Sequence, residues 1–291
     1  MSFTYAEFTN RNLGFIDAAG QEKLRQATVF VCGTGGMGGA AVLALARSGV
    51  GKLILADIDT FEIGNMNRQV FAFMDTVGQH KAEATAELIK TINPEIETTV
   101  YKDEWPDHAE ASIRASAVTI NGTDDLAASL LLYRTARSAG KTMIDAYASS
   151  LPSVYVTRPG DPMPEERLGY PTIGTAWNAL TSEQRGEAFM REIEHVMVHS
   201  SARKYIDMAL AGEMASGKRK RMSFAPMVIT TGMLMAYETI AIILGQKTKT
   251  DCRGWFFNPY EGKVERPLPG ILSAIITPIA RREIAKLVNA T

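Results

Sequence analysis

The stretch Val29-Phe30-Val31-Cys32-Gly33-Thr34-Gly35-Gly36-Met37-Gly38-Gly39-Ala40-Ala41-Val42-Leu43-Ala44-Leu45-Ala46 reads as a buried β-strand that runs through a glycine turn straight into an apolar helix. Gly33, Gly35, Gly36 and Gly38 allow a tight turn and close approach of the backbone to a phosphate. The helix behind them turns its free N–H groups and the positive end of its dipole toward the anion. Alone, the glycine pattern also suits a plain surface turn between strand and helix. The next β-run, Lys52-Leu53-Ile54-Leu55-Ala56-Asp57, narrows the reading. It closes on an acid about 20 residues beyond Gly36, where a carboxylate can bind ribose hydroxyls. This first βαβ unit is expected to hold a nucleoside phosphate.

Working outward, Asp57 to Gln69 is too rich in side-chain hydrogen-bonding groups to be a plain connector. Lys81–Ile92 repeats apolar positions at helical spacing and stops at Asn93-Pro94. Residues 98–101 are β-like. A further strand within 116–125 puts Asp124 and Asp125 at its C-terminal end, the edge at which open parallel sheets carry ligands. A helix over 126–139 and a strand over 141–145 complete a second crossover unit. Strand and helix alternating in this way predict an α/β fold with a doubly wound, mostly parallel, Rossmann-like sheet. Residues 1–27 read as a polar helical arm ahead of it.

With 46% hydrophobic and 22% charged residues, the 291-residue chain can bury a sizeable core and reads as an ordinary soluble protein. A net charge of −1 gives no general pull toward nucleic acid or anionic membrane, so a polyanion would have to be held by a local patch. Only Cys32 and Cys252 are present, which excludes a disulfide scaffold and a four-cysteine zinc site and favours a reducing cytoplasm. The N-terminus has no basic start followed by an apolar core, so no export signal is expected. Residues 223–244 are long and apolar, but Pro226, Thr230, Thr231 and Glu238 interrupt them, and they read as a buried helix and not a membrane span.

After residue 150 the pattern changes. A β-like piece at 153–157 leads through a proline-rich loop to a polar helical region expected to run from about 182 to 212. His195 and His199 lie four apart there, a spacing that suits a two-histidine metal site, yet no third ligand stands at an expected offset, and a solvated helix face is preferred. Lys218-Arg219-Lys220-Arg221 falls in a loop expected to be mobile. A hairpin over 255–266 and an apolar, amphipathic tail finish the chain. With no repeat and no low-complexity linker, a single domain is expected. It would comprise an arm and nucleotide-binding half (1–150), a helical insertion with crossover loop (151–225), and a core helix, C-terminal hairpin and tail (226–291).

From Gly33 to Asp124 the sequence closely resembles the ThiF/MoeB family, bacterial relatives of the ubiquitin-activating enzymes. The matching blocks, in order, are the Gly-x-Gly-Gly-x-Gly turn, Asp57-x-Asp59, the run Asn65-Met66-Asn67-Arg68-Gln69, Val77-Gly78-Gln79-His80-Lys81 with Asn93-Pro94 behind it, and Thr123-Asp124. The Asn-x-Asn-Arg-Gln run with its following Gly-x-x-Lys is far more specific than a glycine fingerprint. Asn10-Arg11-Asn12 looks like the family's N-terminal arginine, and the stretch from Ala225-Pro226 through Thr231-Gly232 to Glu238 looks like its C-terminal core helix.

The resemblance implies ATP-dependent adenylation of a carboxylate acceptor, giving an acyl-adenylate and pyrophosphate. It implies catalytic roles for Arg11, Arg68, Lys81 and Asp124. The nucleotide site would draw on Gly33, Gly35, Gly36, Gly38, Asp57, Asp59, Asn65, Asn67, Arg68, Gln69, Lys81, Asp124 and Asp125, with Asp124 on Mg²⁺. Arg68 offers a planar fork to phosphate oxygens and Lys81 a mobile point charge. A homodimer is expected, with Arg11 reaching the neighbour's phosphate pocket. The acceptor would be a ubiquitin-like protein, a peptide or a small molecule, with RNA a weaker fit. The family's Cys-x-x-Cys pairs are absent, so no zinc is expected. The stretch before Pro226 has no cysteine, so no thioester step is expected. Asp125 stands where the family has Asn and adds a negative charge beside the metal position.

Two rival readings are an NAD-dependent oxidoreductase and a non-catalytic partner that keeps the fold as scaffold. The first has no need of Arg68 and Lys81 aimed at a triphosphate. The second would tend to lose the charged residues that this chain retains.

Overall fold

The computed structural model describes residues 2–289; Met1 at the start of the arm and Ala290 and Thr291 at the end of the tail lie outside the described residues. The chain begins with helices α1 (Tyr5–Thr9) and α2 (Ala18–Gln26) and then alternates: β1 (Thr28–Cys32), α3 (Gly36–Arg47), β2 (Lys52–Ala56), α4 (Lys81–Ile92), β3 (Glu97–Tyr101), α5 (Trp105–Ala115), β4 (Val118–Asn121), α6 (Leu126–Ser138), β5 (Thr142–Asp145). It continues with β6 (Ser153–Thr157), α7 (Pro164–Arg167), α8 (Ser182–His199), α9 (Met208–Ala215), α10 (Ala225–Ile243), β7 (Trp255–Asn258), β8 (Lys263–Glu265) and α11 (Gly270–Asn289).

All eight strands form one sheet in the order β3-β2-β1-β4-β5-β6-β7-β8. The pairings from β3 to β5 are parallel, and those of β6, β7 and β8 are antiparallel. The expected doubly wound sheet is present, and the sheet runs on past residue 150. Alternation along β1 explains the two layers. Val29 and Val31 join a core with α3, α4 and α10 on one face; Phe30 and Cys32 join a core with α5 and α6 on the other. Strand order reverses between β1 and β4, which makes their C-terminal ends a topological switch point.

Helix α10 is the one described helix long and apolar enough to cross a membrane. It packs instead along α3, where a Cβ on Gly232 would lie 2.4 Å from the Met37 carbonyl oxygen, so only glycine permits the approach.

The expected continuous helix over 182–212 is broken. Helix α8 stops at His199, a 3-10 turn covers Ala202–Tyr205, and α9 starts afresh behind the cap of Asp207. Glu265 of β8 competes with a continuous helix: it accepts the Ser201 N–H and the Ser201 hydroxyl, both at 2.6 Å, and so takes the backbone donor a continuing helix would use.

His195 is likewise not on a solvated face. It is 6% exposed, and its ring lies 5.8 Å from those of both Tyr147 and Tyr155. Burial, then the neighbouring Arg167 charge, pushes His195 down to about 2; burial and Arg167 push His199 down to about 4. Both imidazoles are neutral packing groups, and among the described residues no cluster of three or more His, Cys, Asp or Glu could hold a metal.

Candidate nucleotide and acceptor site

The turn after β1 is built by close backbone packing. Gly33 has φ +89, and a Cβ there would lie 2.5 Å from the Gly122 carbonyl carbon. On Gly38 a Cβ would lie 1.8 Å from the Gly33 carbonyl oxygen. Gly38 therefore seats α3 against the turn and does not line the cavity, whereas Gly33, Gly35 and Gly36 do. Of the four glycines in the turn, Gly33, Gly35 and Gly36 face the cavity and Gly38 makes the tight turn itself possible.

That cavity, of about 590 Å³, opens at the C-terminal ends of β1, β2 and β4. Asp57 lines it from the end of β2. Its Oδ2 accepts from the Thr34 N–H at 2.7 Å and the Thr34 hydroxyl at 3.1 Å, and its Oδ1 accepts from the Asp59 N–H at 3.0 Å. The acid thus ties the second strand to the glycine turn as well as facing the site. Lys81, at the start of α4 and 7% exposed, sets its Nζ 2.7 Å from Asp59 Oδ2. Asn65 closes a single turn through Glu62, with Asn65 Oδ1 accepting the Glu62 N–H. From that turn Arg68 projects, its Nη1 held 2.9 Å from both the Gly64 carbonyl and Asn67 Oδ1.

Asn67 is not a lining residue. It positions Arg68 and donates to the Ser223 carbonyl at 3.3 Å. Gln69 is buried against Gly35, and its Oε1 has no hydrogen-bond partner among the described residues.

On the β4 side, Asp124 is 76% exposed and its carboxylate is met by Arg221 Nη1 at 3.9 Å. Asp125 also lines the cavity, but both of its carboxylate oxygens have partners. Its Oδ1 caps α6 through the Ala128 N–H at 2.8 Å, and its Oδ2 pairs with Arg185 at 2.7 Å, so its extra charge is already neutralised. Arg11 is exposed and does not line this chain's cavity. Its neighbour Asn12 donates to the Ser48 carbonyl, in the connection ahead of β2, the end of the sheet opposite the site.

Sequence reasoning missed much of the lining. Trp105 and Pro106 open α5, a helix not read at all, although proline one position into a helix is a start signal. Met197, Met208, Met214, Met222 and Met227 line the cavity from the region after residue 150. Their recurrence over a short stretch was the available clue. Of the four-cation run, Arg221 alone lines the cavity, its guanidinium also 5.2 Å from the centre of the Phe189 ring.

A doubly wound sheet with a glycine turn, a helix N-terminus and convergent acids and cations at its switch point defines a nucleotide-binding α/β protein. The chain belongs to the ThiF family, whose model matches residues 9–270. It is 46% identical over 93 residues to a tRNA threonylcarbamoyladenosine dehydratase of Bacillus subtilis, covering 32% of this chain and 37% of that protein. It is 40% identical over 111 residues to a molybdopterin-synthase adenylyltransferase of Salmonella typhimurium, covering 38% of this chain and 45% of that one. The matched stretch thus spans less than half of either relative. Among solved structures, E. coli MccB with ATP shares the fold, with a TM-score of 0.61 and 19% identity over 85% of this chain and 65% of that one.

Proposed function

We propose that this chain is an adenylyltransferase that activates a carboxylate with ATP. A carboxylate oxygen attacks the α-phosphorus, the bond from that phosphorus to the bridging oxygen breaks, and its electron pair leaves with pyrophosphate. Positioning and neutralising charge supply most of the catalysis in such a transfer. The observation that carries the reading is the convergence of the α3 N-terminus, Arg68, Lys81, Asp59 and Asp124 on one cavity at the switch point. In it Gly33, Gly35 and Gly36 cradle phosphate, Asp57 faces the ribose, and Arg68 and Lys81 bind phosphate oxygens. The orphaned Gln69 Oε1 gives the nucleotide a buried acceptor to satisfy.

The donor set also suits Mg²⁺, a hard cation usually held by one or two carboxylates plus substrate phosphates. Asp124 is an exposed carboxylate with a single long ion pair, and it would hold the ion, which neutralises phosphate charge when bound. We assign Asp125 to capping, so the departure from Asn there leaves Asp124 as the metal-facing acid.

We further infer one body in which the insertion over 151–225 roofs the nucleotide half, and a homodimer in which Arg11 serves the partner's site. Buried, unpaired Cys32 and Cys252 support a reducing cytoplasm. Pyrophosphate exchange into ATP, run alongside calorimetry with ATP and with NAD, tests the proposal. Tight NAD binding with no response to ATP would overturn it in favour of an oxidoreductase. Binding of ATP without turnover would favour a scaffold.

A further inference from the structure

We infer that the acceptor carries its carboxylate on an apolar body, and that the acceptor compartment is the methionine-lined wall contributed by α8, α9 and α11. This inference rests on the adenylation reading above. Strand order separates two halves of the cavity. Asp57 ends β2, so the ribose and base extend toward β2 and α5, where Ile58, Trp105 and Pro106 line the space. The switch point between β1 and β4 holds the phosphates. What remains lies on the β5 side, under the insertion, and its wall is formed by Met197, Ile206, Met208, Met214 and Ile284.

Several polar groups at the edge of that half already have protein partners. Arg203 pairs with Glu283 at 2.7 Å, and Arg221 with Asp124. The Ser150 hydroxyl donates to the Ala202 carbonyl at 2.6 Å, and the Ser149 hydroxyl accepts the Leu151 N–H at 3.0 Å. The Tyr147 hydroxyl takes the Arg167 guanidinium at 2.7 Å. Against the Met197, Met208, Met214 and Ile284 side chains a polar or charged acceptor body would lose its hydration and gain no hydrogen bond from the wall in return. An apolar one gains from every methylene it buries. Methionine side chains are unbranched and adaptable, so the wall selects for apolar character more than for one shape. The shared ligand chemistry is a carboxylate next to aliphatic carbon, as in a free aliphatic acid or a peptide ending in aliphatic residues.

The test is pyrophosphate exchange by the full chain with butanoate, hexanoate and octanoate, with a peptide ending in Leu-Ile, and with peptides ending in Gly-Gly and in Asp-Asp. Acceptor KM should fall about fourfold per added methylene until the compartment is filled. Whether octanoate or the Leu-Ile peptide has the higher kcat/KM identifies the source. Met208→Glu and Met214→Glu should each raise the apolar acceptor's KM at least tenfold and leave the ATP KM unchanged. Better exchange with the Gly-Gly or Asp-Asp peptide overturns the inference, as does ATP binding by calorimetry with no exchange on any aliphatic acid or on the Leu-Ile peptide. Absence of ATP binding fails the adenylation reading instead. In that event, octanoate binding lost in Met214→Glu still supports an apolar compartment, and no octanoate binding overturns it.

Discussion

Arg221 Nη1 stands 3.9 Å from Asp124 Oδ2, joining the loop before α10 to the end of β4 across the mouth of the cavity. The neighbouring cations Lys218, Arg219 and Lys220 are exposed and do not line the cavity. The run therefore divides into one cation at the site and a solvated remainder. Long, exposed ion pairs contribute little to folding, so under the adenylation proposal the contact matters for what replaces it once a polyphosphate arrives.

Replacing Arg221 by Ala should lower exchange roughly tenfold, the worth of one charge-assisted hydrogen bond, with Lys restoring part of the loss. The triple replacement of Lys218, Arg219 and Lys220 by Ala should stay within about twofold of wild type. Parallel exchange assays on both variants settle which part of the run acts. Equal losses would show that the loop works as a diffuse basic patch.

Lys81→Ala removes a buried cation of the cavity and leaves Asp59 unpaired there. Exchange should fall by roughly 10²–10³, the range seen when one preorganised electrostatic contact is lost. Asp59 is 61% exposed, so the melting temperature should change little. A variant that unfolds early would mark Lys81 as a structural residue.

If Arg11 serves the partner's site, Arg11→Ala and Asp124→Ala homodimers should each be inactive. Mixing them with free exchange of chains should restore about a quarter of wild-type activity, since half the dimers are mixed and each carries one intact site of two. No recovery in a mixture shown by mass spectrometry to contain mixed dimers would return Arg11 to its own chain or remove it from the reaction.

Asp145 is buried beside Tyr133 and Asn121, and burial raises it to about 7 from the usual carboxylate range. Its folded pKa is above its unfolded one, so its stabilising contribution is complete below about pH 4 and is lost as pH rises to about 7. Asp145→Asn removes that loss. The variant's stability relative to wild type should climb between pH 4 and 7 and then level off, as read by urea midpoints across the range. A constant difference would mean that Asp145 ionises as freely in the fold as in the unfolded chain.

Most of the sheet was legible because buried parallel strands are short apolar runs bounded by turns, as in Val29 to Cys32 and Lys52 to Ala56. Asp57 was legible as the acid closing the second run. The hidden parts depend on partners distant in sequence. Glu265 competes with the long helix from 64 residues away, and His195 is covered by Tyr147 and Tyr155, neither of them on its own helix. Helical periodicity carries no record of either. Gly38 looked like its neighbours in the turn, and its role shows only in the 1.8 Å at which a Cβ placed on it would meet the Gly33 carbonyl oxygen. Arg221 could not be told from the three cations before it by composition.

Gly36 has a second neighbour besides the cavity: a Cβ placed on it would lie 2.6 Å from Val228 Cγ1, in the first turn of α10. The chain that leaves the sheet after β6 therefore re-enters at a point pinned to the glycine turn itself. Departure and return are both set by the core, while lengthening such a loop costs only a logarithmic entropy. The stretch between them is held at both ends and also along its length, where Val196 and Ala202 pack with Tyr147 and Tyr155 and Arg185 pairs with Asp125. Its loops can change length at little entropic cost, while the glycine turn and the strands beneath keep their register.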